Sequence, residues 1–210
     1  MGICAGLVVV QPDPETRLGD VADDADAAAA LLASIGLRAY PKDPDAPPAG
    51  KWDDTEIAVV THTGGFLIDN YTFAGDVVHR GRFGRALASV YPGALITGLC
   101  VVDSTNYVSY ARYLDGAQQR LVITDDEMGL TDEGERAASL EPHAFNDPDD
   151  TYSAARENGF ALIDSCYLSN EAEWGPVAAA RFHWKPPGLM LDLLTELFDA
   201  VKSRFKRGRS

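Results

Sequence analysis

Cysteine is scarce in this chain of 210 residues: Cys4, Cys100 and Cys166 are three in number and widely spaced. No Cys-x-x-Cys pair is present, which argues against a zinc ribbon or a dithiol redox site and points to a reduced, cytoplasmic protein. Long apolar runs are also missing, and none approaches the roughly 18 residues of a membrane span. The stretch Met1 to Val10 is apolar but lacks the basic n-region of a signal peptide, so neither secretion nor membrane insertion is expected. Gly2 opens a Met-Gly-Ile-Cys start, yet Gly6 stands where myristoylation wants Ser or Thr.

Positive charge is short as well. Eighteen Lys and Arg face 32 Asp and Glu, leaving a formal charge of −14. Such a surface repels phosphate backbones and anionic head groups, which disfavours nucleic-acid binding. Several catalytic signatures are absent too. There is no Gly-x-Ser-x-Gly elbow, and neither Gly64-Gly65 nor Gly81-Arg82-Phe83-Gly84 has the spacing of a Walker or dinucleotide loop. No cofactor is therefore expected. Asp125-Asp126-Glu127 lacks the acid spacing and central glycine of an EF-hand.

What is present suits one globular domain over residues 1–200, followed by a basic tail at 201–210. Hydrophobic residues make up 46% of the chain, enough to build a sizeable core, and no Gly/Ser/Pro linker divides it. The acidic excess is local: residues 125–150 carry ten acids and one base, Arg136. This part of the chain, about 125–160, has turn-formers and no clear period, and is expected to be a surface excursion. Lys202, Arg204, Lys206, Arg207 and Arg209 make the tail basic and fit a solvated helix end.

Periodicity outlines the elements between. Ala5–Val10 reads as a buried strand closed by Gln-Pro-Asp-Pro, and Asp20 to Asp26 introduce an Ala-rich helix near 21–35 ending at Gly36. Glu56–His62 and Phe66–Tyr71 flank the tight connection Thr63-Gly64-Gly65, and apolar spacing predicts a helix over 76–90. Strands follow at Ala94–Val102, Tyr107–Leu114 and Arg120–Thr124, the last two joined by Asp115-Gly116, the strongest hairpin signal in the chain. Phe160–Leu168 and Arg181–Trp184 are weaker strand candidates, and Leu189, Leu193, Leu197, Val201 and Phe205 mark an amphipathic helix over 189–206. The fold class is α/β, leaning to α+β, with a mixed sheet of five to seven strands and three packed helices.

Two constellations are candidates for chemistry. His62, before the glycine turn, and Asp103, before Ser104-Thr105, stand at strand ends, where α/β sheets collect sites; they are the catalytic candidates. With Asp69 and His79 they form a candidate metal set, because imidazole and carboxylate are the ligands of hydrolytic metals. The second constellation is a partner surface: Asp125, Asp126 and Glu127 with the aromatics Tyr107 and Tyr110. Tyr113, Trp174 and Trp184 are further aromatics of this kind, while Cys100, inside an apolar strand, reads as a small buried hydrophobe.

The order of parts resembles that of an uncharacterised bacterial family of about this length, a domain of unknown function. The likeness rests on the first strand, the Ala-rich helix, the glycine-containing strand pair and the Asp-Gly hairpin. Arg181-Phe182-His183-Trp184 before a Leu-rich helix adds to it, although the family's Trp-Phe strand is missing where Tyr107–Tyr113 stand. The resemblance implies a bacterial, cytoplasmic protein and transfers no catalytic residue. The sequence thus points to an acidic, non-catalytic binding protein with a basic protein partner. The alternative is a small metal-dependent hydrolase built on His62, Asp69, His79 and Asp103. A third possibility is attachment to a membrane surface through Phe205 and the basic tail.

Overall fold

Leu7, Val8, Val9 and Val10 are consecutive and apolar, and successive strand residues point to opposite faces, so a strand with this run belongs where both faces are covered. All four are buried, and Cys4–Gln11 (β1) lies at the centre of a sheet. The computed structural model describes residues 4–16, 18–22, 24–42, 55–102, 107–125, 129–136 and 180–184. The other strands are Ala39–Pro41 (β2), Glu56–His62 (β3), Gly65–Asp69 (β4), Leu95–Val102 (β5), Tyr107–Leu114 (β6), Ala117–Asp125 (β7), Gly129–Gly134 (β8) and Ala180–Trp184 (β9). They run in the order β2-β9-β3-β4-β1-β5-β6-β7-β8.

The described sheet has nine strands, more than the expected five to seven, and every pairing is antiparallel rather than mixed. Two strands escaped the hydrophobic pattern for identifiable reasons. The three residues of β2, which end on a proline, are too few to show a period. In β8, Leu130 to Gly134 are all exposed, so its Gly-Leu-Thr-Asp-Glu-Gly sequence carries no alternation and reads as an acidic loop. Backbone pairing from Arg120↔Gly134 to Asp125↔Gly129 holds it to β7. The expected excursion over 125–160 is therefore ordered sheet at least over 129–134.

Turn chemistry behaves as the sequence suggests. Asp115 and Gly116 both have positive φ, 50° and 70°, the type I′ geometry that matches strand twist. Thr63 and Gly64 close the β3–β4 hairpin, with Gly64 at φ 90°. Three helices lie among the described residues: Ala25–Ser34 (α1), Tyr71–Val78 (α2) and Arg82–Val90 (α3). Asp24 caps α1 by accepting from the Ala27 N–H at 2.8 Å, so α1 starts four residues later than the expected Val21. The residues before the cap instead run back along β3, with the Ala22 N–H on the Thr61 carbonyl at 2.8 Å.

The single helix expected over 76–90 is two helices with a sharp corner between them. Asn70 caps α2 through the Phe73 N–H at 2.8 Å, which converts the expected end of a strand into a helix start. At the corner Arg80 has φ 53°, and the α3 cap position is Gly81, which has no side chain to offer. Asp76, one turn back on α2, supplies what is missing. Its buried carboxylate accepts from the N–H groups of Arg82, Phe83 and Gly84 at 3.0, 2.6 and 3.3 Å. A Cβ on Gly81 would lie 2.0 Å from the Asp76 carboxylate, so only glycine fits.

All three helices contribute to one large core against one face of the sheet. Val8, Val10, Ile57, Ile68 and Phe182 from the strands meet Leu31, Leu32, Phe73, Val77 and Leu87 from the helices. Phe83 lies at 5.3 Å from Phe73 and 5.8 Å from Trp184, ring centre to ring centre, tying α3 to α2 and to β9. On the other face Leu99, Val101, Val108, Tyr110 and Val122 form a second buried cluster containing no helix residue. The strand predicted at 160–168, the helix at 189–206 and the tail at 201–210 lie outside the described residues.

Candidate functional site

The four candidate metal ligands divide at once. His62 pairs with Gly65 and Asp69 pairs with Ala58, so the two lie on one sheet face but four residues apart along the ladder, about 13 Å. His79 follows α2 on the helix-bearing side, where its Nε2 lies 2.7 Å from the Tyr107 hydroxyl. Asp103 lies outside the described residues. Three of the four are thus not brought together, and no group of three or more His, Cys, Asp and Glu suited to a metal occurs among the described residues.

Each has a local structural setting. His62 is buried, with Nδ1 at 3.0 Å from the Gly19 carbonyl; burial holds its pKa below the ordinary value, against the opposing pull of that hydrogen bond. It closes the strand end where Val21 bridges to β3. Burial also lowers the pKa of His79, with the Asp76 charge acting in the opposite direction. Asp69 keeps an exposed edge, yet desolvation by its crowded surroundings, and secondarily the Glu56 carboxylate, push its pKa up to about 6. Glu56 itself is held by Lys42, with Arg181 at 3.8 Å.

The candidate partner surface divides too. Tyr107 and Tyr110 are three residues apart on β6 and so lie on opposite faces. Tyr107 is half-buried against the helix-side core, whereas Tyr110 is 1% exposed inside the second cluster and offers no surface to a partner. Tyr113 and Trp184 are also core residues, and Trp174 lies outside the described residues. Asp125 ends β7 opposite Gly129, while Asp126 and Glu127 lie outside the described residues. Cys100 is buried and donates to the Tyr71 carbonyl at 3.4 Å, the setting of a packed thiol.

What the described acidic residues do form is a rim along β8, the edge strand of the sheet, and just past its end. Asp132, Glu133 and Glu135 are exposed there. The rim is anchored by a residue that sequence reasoning passed over. Arg120 is 2% exposed, and its Nη1 donates to the Asp132 carboxylate and to the Glu133 carbonyl, the latter at 3.1 Å. Its parity with Val122 and Thr124 was the available signal, because all three alternate onto one face of β7. Gly134 completes the anchor at φ 84°, where a Cβ would lie 2.1 Å from the Gln119 carbonyl oxygen. The Arg112 guanidinium donates to the Glu135 carbonyl at 3.3 Å, leaving the Glu135 carboxylate without a cation among the described residues.

Among the described residues no helix is long and apolar enough to cross a membrane. Compared with known proteins, the chain matches no family model, no curated protein and no solved structure.

Proposed function

We propose that this chain is a non-catalytic binding protein that receives a basic partner on the acidic rim at the β7–β8 end of its sheet. One observation carries the reading: the edge strand β8 and the residue that follows it turn Asp132, Glu133 and Glu135 to solvent on a backbone fixed by the buried Arg120. Carboxylates held on a sheet rim keep their spacing, and the −14 charge of the chain draws cations toward them. Electrostatic complementarity of this kind raises the association rate more than the affinity.

The test is association of the full chain with an oligolysine peptide, followed by stopped flow from about 0.05 to 0.5 M salt. The expected result is an on-rate that falls steeply with salt and falls again in the variant Glu133→Gln with Glu135→Gln. The control is Glu15→Gln with Asp20→Asn, two exposed acids elsewhere. Equal losses in the two variants would reduce the rim to general charge and reject the proposal.

A further inference from the structure

The α2–α3 corner holds a feature at odds with the charge of the chain. Arg80, Arg82 and Arg85 project from it, and among the described residues none of the three has a carboxylate within 4.0 Å, although acids outnumber bases 32 to 18. Two of them border a cleft of about 140 Å³ between the helices and the β6–β7 hairpin, walled by Val77, Ala88, Ile96 and Tyr113. Their side chains are held in place. Arg80 Nη2 donates to the Gly116 carbonyl at 2.8 Å, its guanidinium lies 5.5 Å from the Tyr113 ring centre, and Arg85 Nη1 donates to the Arg80 carbonyl at 2.6 Å. Arg82 is not part of this wall; it points to the α1 end, near Gly36.

A guanidinium has five N–H donors, and each of these two spends one on the protein among the described residues. Both residues line a hollow whose other walls are mainly apolar. An apolar cavity of about 150 Å³ accepts a benzene-sized body, and guanidiniums suit the oxygens of a carboxylate or phosphate. From this geometry we infer that the Arg80–Arg85 cleft is a binding site for a small organic anion. The anion carries one carboxylate or phosphate on an apolar body the size of a single ring. The site is separate from the acidic rim and does not depend on it.

Isothermal titration of the full chain with phenyl phosphate, benzoate, inorganic phosphate and benzyl alcohol tests the assignment. The expected result is one saturable site for phenyl phosphate or benzoate at about 1 mM or tighter, with inorganic phosphate and the neutral alcohol about tenfold weaker or worse. The tighter of the two aryl anions identifies the head group. Arg85→Gln, an exposed change, and Arg80→Gly, which suits the positive φ, should each cost about tenfold, while Arg82→Gln should change binding less than about twofold. Circular dichroism of each variant confirms folding. Absence of saturable binding, equal binding of inorganic phosphate or the alcohol, or an equal loss in Arg82→Gln would overturn the assignment.

Discussion

The arginine corner and the acidic rim are two unbalanced charged regions of one molecule, and they are built in opposite ways. At the rim, carboxylates stand on an edge with solvent around them, and the one buried charge, Arg120, serves the backbone beneath. At the corner, cations stand beside a hollow with an apolar floor, and the buried charge, Asp76, serves the start of α3 between them. Charge on a solvent-facing edge acts through its field, which salt screens within roughly a nanometre. Charge beside a hollow acts through contact and shape. The contrast predicts long-range steering at the rim and selective, short-range binding at the corner.

The contrast breaks most severely if the corner is dismantled. Asp76→Ala removes the acceptor of three N–H groups at the start of α3 and leaves the buried Phe83 N–H unpaired, an expected loss of about 3 kcal/mol. Chemical denaturation measures it, and Asp76→Asn, which keeps one acceptor, should recover part of the loss. The cleft should fail with the corner while the rim survives. Aryl-anion binding would then vanish in Asp76→Ala while salt-dependent capture of oligolysine persists.

The rim has its own anchor, and its removal ranks next. Asp132→Asn takes the carboxylate from a guanidinium that is 2% exposed, with an expected cost of about 1–2 kcal/mol. The cost stays below that of Asp76→Ala because Asp132 is itself 41% exposed and the Glu133 carbonyl remains as an acceptor. A loss larger than that of Asp76→Ala would invert the comparison and make the rim the more tightly built region.

How far either region was legible in the sequence follows from the kind of signal each carries. The strands β1, β3, β5 and β6 are written in apolar runs or alternation, and Asp115-Gly116 declares its turn through two positive φ values. The acidic rim was visible as composition, because ten acids within 125–150 need no fold to be noticed. The strand beneath was not, since β8 buries none of its described side chains and its regularity lies in backbone pairing alone. The corner was invisible for a different reason. Val77, Val78, Phe83, Leu87 and Val90 recur at mixed helical spacing across 76–90, and the break depends on Asp76 folding back over Gly81, a contact no period reports. His62, Asp69 and His79 looked like ligands because residue type is legible and separation in space is not.

A third, smaller effect belongs to neither region, which sharpens the contrast by locating the pH response elsewhere. Asp69 has a folded pKa of about 6, raised from 3.8, so its ionised form is disfavoured in the fold. Its contribution is fully present below the unfolded value and is lost as pH rises through about 6. Asp69→Asn should therefore stabilise the protein above pH 6 by about 1 kcal/mol, after allowance for screening at its exposed edge, and leave stability unchanged near pH 3.5. His62 works in the opposite direction. Its folded pKa is depressed by burial, so its contribution is present above 6.5 and declines as pH falls below. Thermal unfolding against pH separates the two, since Asp69→Asn removes only the alkaline limb.

The smallest expected effect on stability lies in the charges proposed to meet a partner. Glu133→Gln with Glu135→Gln alters exposed side chains; the carbonyls of both residues keep their guanidinium donors, and only Gln118 Nε2, at 3.3 Å from Glu133 Oε2, loses a charged acceptor. Surface changes of this kind leave stability within about 0.5 kcal/mol. Unfolding should therefore match the parent chain while the oligolysine on-rate falls, and aryl-anion titration at the corner should be unaffected. That combination would show a rim acting by field alone. Should the double variant instead lose stability comparable to Asp132→Asn, the carboxylates would be structural members of β8, and the difference between a solvent-facing edge and a built corner would disappear.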